Sequence, residues 1–315
     1  MEPRGAELIE RYKDNAHMPP EAEITEQMIL RHWNLERDLA IELLESTPET
    51  RWEVFEQCYS RFYGELTWLN LYTGKAETKS PAERYGDWLE AIDGPPKRIY
   101  EVGSGEGEMI SYLAEIGFDC RASEITRERG QQKVSTKFPN LTWGKSDGVH
   151  LDRFEPKNTY DVVLSDQVIE HLHPEDVIPH FKSVFTILAT GGIYVFNTPH
   201  RYTGPYDISR VFKCDEPKGM HLHEYTYREL ARVAMETGFS EVYYVVGYRL
   251  RQIAAKLGIA GTSQMVRIGT INLKIILLTE RILQAVPKHR WRRFCGELLK
   301  KAKLFKDDIF LAARK

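Results

Sequence analysis

Apolar positions recur near helical spacing from Ile24 to Leu44, at Met28, Leu35, Leu39, Leu43 and Leu44, behind Thr25, a residue suited to cap a helix. This predicts an amphipathic helix. Residues 1 to about 22 hold Pro3, Pro19 and Pro20 and little periodicity, which predicts a mobile tail or an extended arm. A second helical pattern opens at Thr47-Pro48, with threonine as cap and proline as first helical residue, and runs to Leu71. It is crowded with Trp52, Phe55, Tyr59, Phe62, Tyr63, Trp68 and Tyr72. Aromatic stripes at this spacing usually pack into a core. The other reading is a lid of Tyr63, Trp68 and Tyr72 over an apolar or sugar-like ligand. Ser80-Pro81-Ala82-Glu83 has the form of a capping box, opening a helix to Ile92.

Beyond it the pattern changes to short apolar runs separated by helical stretches. Strands are predicted at Arg98–Val102, Asp119–Glu124, Leu141–Lys145, Tyr160–Leu164, Ile193–Asn197, Glu241–Val246 and Asp308–Ala313. Helices are predicted at Glu108–Ile116, Thr126–Lys137, His173–Leu188 and, from the capping box Thr226-Tyr-Arg-Glu229, to Gly238. Such alternation predicts an α/β fold, a doubly wound, seven-stranded Rossmann-like sheet. The chain divides into an N-terminal helical extension (1–80), a core (81–248), a helical insertion (249–306) and a final core strand (307–315).

Gly103, Gly105 and Gly107 follow the first strand at alternate positions. Glycines there let a ligand lie against main-chain N–H groups at a helix N-terminus. A dinucleotide fingerprint, Gly-x-Gly-x-x-Gly, needs glycine at 108, where this chain has Glu108. Glu101 and Glu106 would repel phosphates and suit a cation such as a sulfonium.

Glu101-x-Gly103-x-Gly105-x-Gly107 resembles the first motif of class I S-adenosylmethionine-dependent methyltransferases, of the small-molecule type found in the quinone and glycan pathways, over roughly Tyr85 to Tyr248. The resemblance implies that Glu101, Gly103, Ser104, Gly105 and Gly107 pass under the methionyl part of S-adenosylmethionine. It implies further that Glu124, beside Ile125, holds the ribose hydroxyls, that Ser146-Asp147-Gly148 meets the adenine edge, and that Asp166, Gln167 and His171 flank the reacting methyl. The last strand should then be antiparallel. Some quinone-pathway relatives place Glu-x-x-Glu-His as metal ligands where this chain reads Gln167-Val168-Ile169-Glu170-His171, and Gln167 breaks that pattern, so no metal is expected.

Composition adds two things. The 315 residues are 42% hydrophobic and 28% charged, with four widely separated cysteines, no membrane-length apolar run and an N-terminus without an apolar signal segment, so a cytoplasmic protein with free thiols is expected. The net charge of −3 conceals an asymmetry. Residues 249–306 hold fourteen Lys or Arg against Glu280 and Glu297, so this stretch carries about +12 and the remainder about −15. A basic helical surface with an apolar face suits peripheral contact with a membrane, or a lipid-linked or phosphate-bearing substrate. The bland reading is a helical cap or homodimer contact with solvated lysines. No recognised nucleic-acid motif accompanies the charge.

The expected reaction is methyl transfer to a small-molecule, sugar or lipid-linked acceptor, with oxygen as the acceptor atom. A hydroxyl needs a base, and His171 is the first candidate, with His200 and His223 next and His221 as a further alternative. Each taken alone reads first as a structural, hydrogen-bonding histidine, and it is their clustering on two substrate-side loops that points to function. His221-x-His223 as a metal pair lacks a visible third ligand. Two other functions stay open: a nucleotide-binding oxidoreductase, and a non-catalytic module that keeps the cofactor fold for partner contacts.

Overall fold

The computed structural model describes residues 4–72, 79–126, 138–248, 251–252, 256 and 261–315. A seven-stranded sheet in the order β3-β2-β1-β4-β5-β7-β6 forms its centre. The strands are β1 (Arg98–Val102), β2 (Asp119–Glu124), β3 (Leu141–Lys145), β4 (Tyr160–Asp166), β5 (Leu188–Pro199), β6 (Glu241–Tyr244) and β7 (Asp308–Arg314). β1 to β5 are parallel; β7 runs antiparallel to both β5 and β6, inserted between them rather than at the edge. Because β1 leads outward to β2 and β3 while β4 starts the other half, the strand order reverses between β1 and β4. Loops leaving their carboxyl ends therefore splay apart and leave a crevice.

Burial explains the strands. Ile99, Tyr100 and Val102 of β1, and Val162, Val163 and Leu164 of β4, are almost wholly enclosed, as central parallel strands covered on both faces must be. Helices α7 (Glu108–Glu115) and α6 (Gly86–Ile92) pack on one face, α8 (Val177–Ile187) and α9 (Tyr227–Glu236) on the other. Both predicted capping boxes form, at Ser80/Glu83 and Thr226/Glu229. The predicted helix after Thr126 falls on 127–137, outside the described residues.

The N-terminal region departs from expectation in two places. Instead of a tail, residues Gly5–Asn15 form helix α1, because Leu8 and Tyr12, one turn apart, bury completely against α2 (Glu26–Glu45). The next helix, α3, starts at Arg51 rather than Pro48 and ends at Glu65, and a separate α4 (Thr67–Tyr72) follows. α5 (Pro81–Arg84) is a single turn before α6. The extension shares its core with a segment far along the chain: Ile208, Val211, Phe212 and Met220 from the loop after β5 pack among its side chains. Trp33 stacks on Phe212 at 4.6 Å, and Arg11 Nη2 donates to Arg210 O at 2.7 Å.

The insertion is two helices, α10 (Thr262–Gln284) and α11 (His289–Lys301). α10 lies so close to β6 that a Cβ at Gly269 would sit 2.2 Å from Tyr244 O. Its one acid, Glu280, is fully buried and accepts from the Tyr227 and Arg228 N–H groups at the start of α9, each at 2.9 Å, and pairs with His200 Nε2 at 2.9 Å. Among the described residues no helix is long and apolar enough to cross a membrane, and the four cysteines are free thiols.

Glu280→Ala leaves two backbone donors and a buried imidazole without their acceptor. It is expected to cost about 3 kcal/mol or more of stability, read as a lower urea midpoint at unchanged slope. Ligand affinity at the β1/β4 crevice should stay as it was.

Candidate active site

The crevice opens into a cavity of about 750 Å3 that runs from the glycine turn to a chamber under the N-terminal helices. Glycine conformation builds the first end. Gly103, Gly105 and Gly107 all have positive φ, and a Cβ at Gly103 would come within 2.7 Å of Val168 Cγ2, so the turn is pressed against the loop after β4. Gly107 is the N-cap residue of α7 and stands back from the cavity, whereas Glu101, Gly103, Ser104 and Gly105 line it. Glu124 and Ile125 at the end of β2, Ser146, Asp147 and Gly148 after β3, and Asp166 and Gln167 at the end of β4 line it as well.

Glu124 ties the turn to β2: Oε2 accepts from Gly105 N and Oε1 from Ile125 N, each at 2.9 Å. A carboxylate retains acceptor capacity beyond two such bonds, enough for a diol. Asp147 is more committed. It accepts from Val149 N and His150 N and pairs with His150 Nδ1 at 2.9 Å, so it staples its own turn while facing the cavity. Gln167 holds a left-handed φ of 55°, unusual outside glycine and frequent where strain serves a site.

Charge at this end is unbalanced. Burial raises the Glu101 carboxyl to about 8, with Asp166 and Glu124 adding repulsion, and one of its oxygens has no hydrogen-bond partner. Burial, then Asp308, raises Asp166 to about 7. Buried carboxyls crowded in this way favour a cationic ligand. The positive-φ turn pressed on Val168, the orphaned Glu101 oxygen and the diol-competent Glu124 together fit a sulfonium nucleoside such as S-adenosylmethionine.

The far chamber is walled by Tyr59, Phe62 and Tyr63 of α3 and floored by His171 and His221. His171 Nδ1 donates to Met220 O at 2.8 Å, which puts the lone pair on Nε2. Met220 N donates to Glu36 Oε2 at 3.0 Å, so the backbone of one residue links α2 to His171. From Glu36 the chain of contacts continues to His32 Nε2 at 2.6 Å, and His32 Nδ1 meets the Tyr12 hydroxyl at 2.7 Å. Although burial raises Glu36, the His32 contact and the Met220 N–H hold it below the usual carboxylate range.

Glu170 sits fully buried just behind this floor, one oxygen accepting from Thr198 at 2.8 Å and the other unpartnered, 3.9 Å from His171 Nε2. Burial raises it to about 7. His221 goes the opposite way: burial opposes its charge, but Glu224 at 3.0 Å and the nearby Glu170 and Asp207 lift it to about 9. Among the described residues, Glu170, His171 and His221 offer ligand atoms all within 4.8 Å of one another, a spacing able to hold a metal ion. This supplies the neighbours for His221 that sequence spacing did not show. A metal would first have to displace the proton on His221.

Two expected catalytic histidines lie elsewhere. His200 is fully buried between Tyr202, Tyr227 and Phe305 and serves the Glu280 joint, away from the cavity. His223 faces a separate hollow of about 120 Å3, its ring against Tyr225 and 3.7 Å from Glu229. His221 lines the main cavity and His223 the separate hollow, with a bend of the chain at Leu222 between them, so they form no metal pair. Sequence reasoning missed Glu36 and Asp207 as cavity residues. For Glu36 a signal existed, since His32 and Glu36 occupy the buried stripe of α2 together with Ile29, Leu35 and Leu39.

A methyltransferase domain family matches residues 77–244, just over half of the chain. The chain is 31% identical over 136 residues to YqeM of Bacillus subtilis (strain 168), which carries the name of a methyltransferase; the match covers 42% of this chain and 53% of that one. The chain thus spans about half the length of this curated relative. Similar solved structures include a SAM dependent methyltransferase from Archaeoglobus fulgidus (TM-score 0.48, 15% identity, 82% of this chain and 99% of that one). Another is the 1,6-didemethyltoxoflavin-N1-methyltransferase of Burkholderia thailandensis (TM-score 0.47, 15% identity, 65% and 85%). The oxidoreductase and non-catalytic readings find no favour in the family match. With the family matched across the glycine turn and the strands that carry the cavity, the chain belongs to the class I S-adenosylmethionine-dependent methyltransferases.

Proposed function

We propose that this methyltransferase modifies a hydroxyl oxygen of a small polar acceptor, sugar-like or lipid-linked, bound in the chamber between α3 and the His171 loop. The observation that carries this reading is the continuity of the cavity from the glycine turn to an imidazole whose tautomer is set by Met220 O. When bound, S-adenosylmethionine supplies an electrophilic methyl carbon on a positively charged sulfur.

The chain's own residues do the rest. The glycine turn and Glu124 hold the nucleoside, while Glu101 and Asp166 set a negative field for the sulfonium. Tyr59, Phe62 and Tyr63 give flat apolar walls that suit the faces of a sugar ring and exclude water. Glu36 and Asp207 add acceptors for further hydroxyls. His171 Nε2 takes the proton of the acceptor hydroxyl as its oxygen becomes nucleophilic, and the Glu170 carboxylate behind it offsets the imidazolium charge. Orientation of the two reactants is the larger contribution expected from the fold.

Transfer of a 13C-labelled methyl from S-adenosylmethionine to panels of hydroxylated and amine acceptors tests the reading, since the carbon shift of the product distinguishes oxygen from nitrogen. Methylated oxygen is expected, and His171→Asn should lower kcat by about 10^2 to 10^4 while cofactor affinity changes little. Methyl found only on nitrogen, or full activity in His171→Asn, would refute it.

Calorimetry tests the cofactor end. Glu124→Ala should weaken S-adenosylmethionine about tenfold or more, from the loss of charge-assisted hydrogen bonds worth about 1.5–3 kcal/mol each. Because a bound cation draws protons off Glu101 and Asp166, affinity should rise from pH 6 to 9 with proton release. S-adenosylhomocysteine, whose sulfur is neutral, should show a flatter profile.

Glu101 also makes a stability prediction. Its folded pKa lies above the unfolded value of 4.5, so the folded state binds the extra proton between 4.5 and about 8, and ligand-free stability falls as pH rises through that window. Glu101→Gln should therefore raise the ligand-free melting temperature at pH 8 while flattening the pH profile of cofactor binding. A variant less stable than wild type at pH 8 would contradict this.

A further inference from the structure

Half of the exposed large apolar side chains of the described residues lie on the insertion, so they form a concentration and not a scatter. On α10 they are Ile271, Ile275, Leu278 and Ile282, between 47% and 64% exposed. At 3.6 residues per turn these four fall within an arc of about 60°, on the side away from the buried Met265, Leu273, Ile276 and Leu283 that hold the helix to the core. Arg267, Lys274 and Arg281 repeat every seventh residue along one edge of that arc, all exposed, and none pairs with an acid among the described residues. On α11, Trp291, Phe294 and Leu298 are similarly exposed, beside Arg290 and Lys301.

A solvated cap accounts for the lysines and arginines but not for the aliphatic stripe between them. A polyanion such as nucleic acid would match the charge and leave the stripe wet. A second copy of the chain, related by a two-fold axis that sets the two α10 helices antiparallel across this face, would bring the row Arg267, Lys274 and Arg281 against itself. The segment's two acids offer no relief, because Glu280 is buried and Glu297 is half-buried. An apolar strip edged by long basic side chains matches the boundary between acyl chains and anionic headgroups, where the aliphatics bury and the charged heads stay at headgroup level. Lys274, Glu280 and Arg281 within α10 fit a helix lying on the surface and not one crossing it.

We infer that α10 and α11 form a docking face for an anionic lipid bilayer, holding the methyltransferase peripherally at the membrane. The face is one layer from the acceptor chamber. α11 approaches so closely that a Cβ at Gly296 would lie 2.2 Å from Tyr202 O, and Arg293 donates to Cys214 O at 2.8 Å. The loop gripped between those two contacts carries Tyr206, Asp207 and Ile208, which line the cavity.

Flotation of the full chain with vesicles of phosphatidylcholine alone, or with a third phosphatidylglycerol, tests this at low and high salt. Binding is expected to the anionic vesicles only, and to weaken with salt. The triple variant Arg267→Gln, Lys274→Gln, Arg281→Gln should partition on the order of a hundredfold less, from about fivefold per basic side chain at an anionic surface. Leu278→Asn with Ile282→Asn should lose at least about tenfold, given the transfer energy of two aliphatic side chains. Met235→Asn, an exposed apolar residue on α9, should change nothing. S-adenosylmethionine binding reports that each variant is folded. Failure of the folded wild type to float with anionic vesicles would overturn the inference, as would binding untouched by both sets of variants. A concentration-dependent dimer that Leu278→Asn with Ile282→Asn makes monomeric would assign the face to a second copy.

Discussion

Three carboxyl groups gathered at the carboxyl ends of β1, β2 and β4 set the terms for the whole molecule. Glu101, Glu124 and Asp166 come from different strands, and parallel pairing delivers them to one place: β1 pairs with β2 on one side and β4 on the other, so their ends coincide. Burial alone would leave such groups protonated and idle, and Glu101 and Asp166 are indeed raised toward neutrality. A ligand that is a cation over part of its length and a diol over another answers both the excess charge and the Glu124 geometry. The site is thus held at some cost to the ligand-free protein, as functional sites commonly are, and the cost is returned when the sulfonium arrives.

The acceptor end obeys a different logic, in which distant pieces of chain are made interdependent. The N–H of Met220 donates to Glu36 on α2 and its C=O accepts from His171 after β4, so an N-terminal helix helps fix the residue that decides which nitrogen of His171 carries the proton. The same loop contributes Ile208, Val211 and Phe212 to the core of the N-terminal helices. The extension is therefore a wall of the cavity. Arg51, reaching Asp176 at 2.7 Å and Glu175 at 2.9 Å, closes the other side of that wall. On the proposed reading, acceptor choice becomes a property of α2, α3 and the loop, while the cofactor end can remain the same for any acceptor.

How much of this was legible in sequence depends on the range of the interaction that decides each feature. Strand β1 is found where its apolar run lies, because burial on both faces leaves a local signature; β2 and the edge strand β3 keep their expected bounds, and Ser80/Glu83 and Thr226/Glu229 cap as their spacing says. Helix α1 was not legible: its two anchoring residues, Leu8 and Tyr12, make a weak pattern until α2 supplies the surface they bury against. Thr47-Pro48 carried a good local start signal, yet the helix begins at Arg51, whose side chain is drawn in by Ser46 O and by Glu175 and Asp176 of a remote segment. Tertiary contacts overrode local preference in both cases.

The histidines show the same limit most sharply at the level of function. His171, His200, His221 and His223 all lie on substrate-side loops in sequence, and nothing local separates them. The fold separates them by the carboxylate each meets: Glu280 draws His200 into the joint with the insertion, Glu229 draws His223 to the outer hollow, and Glu224 and Glu170 hold His221 and His171 at the cavity. Glu280 is the instructive partner, since it lies within the most basic stretch of the chain and its charge is spent on capping α9 and pairing His200 rather than on its neighbours. Its burial removes one of two negative charges from the insertion's surface. The joint that fixes α10 to the core is thus also what leaves the outer face of that helix so strongly positive.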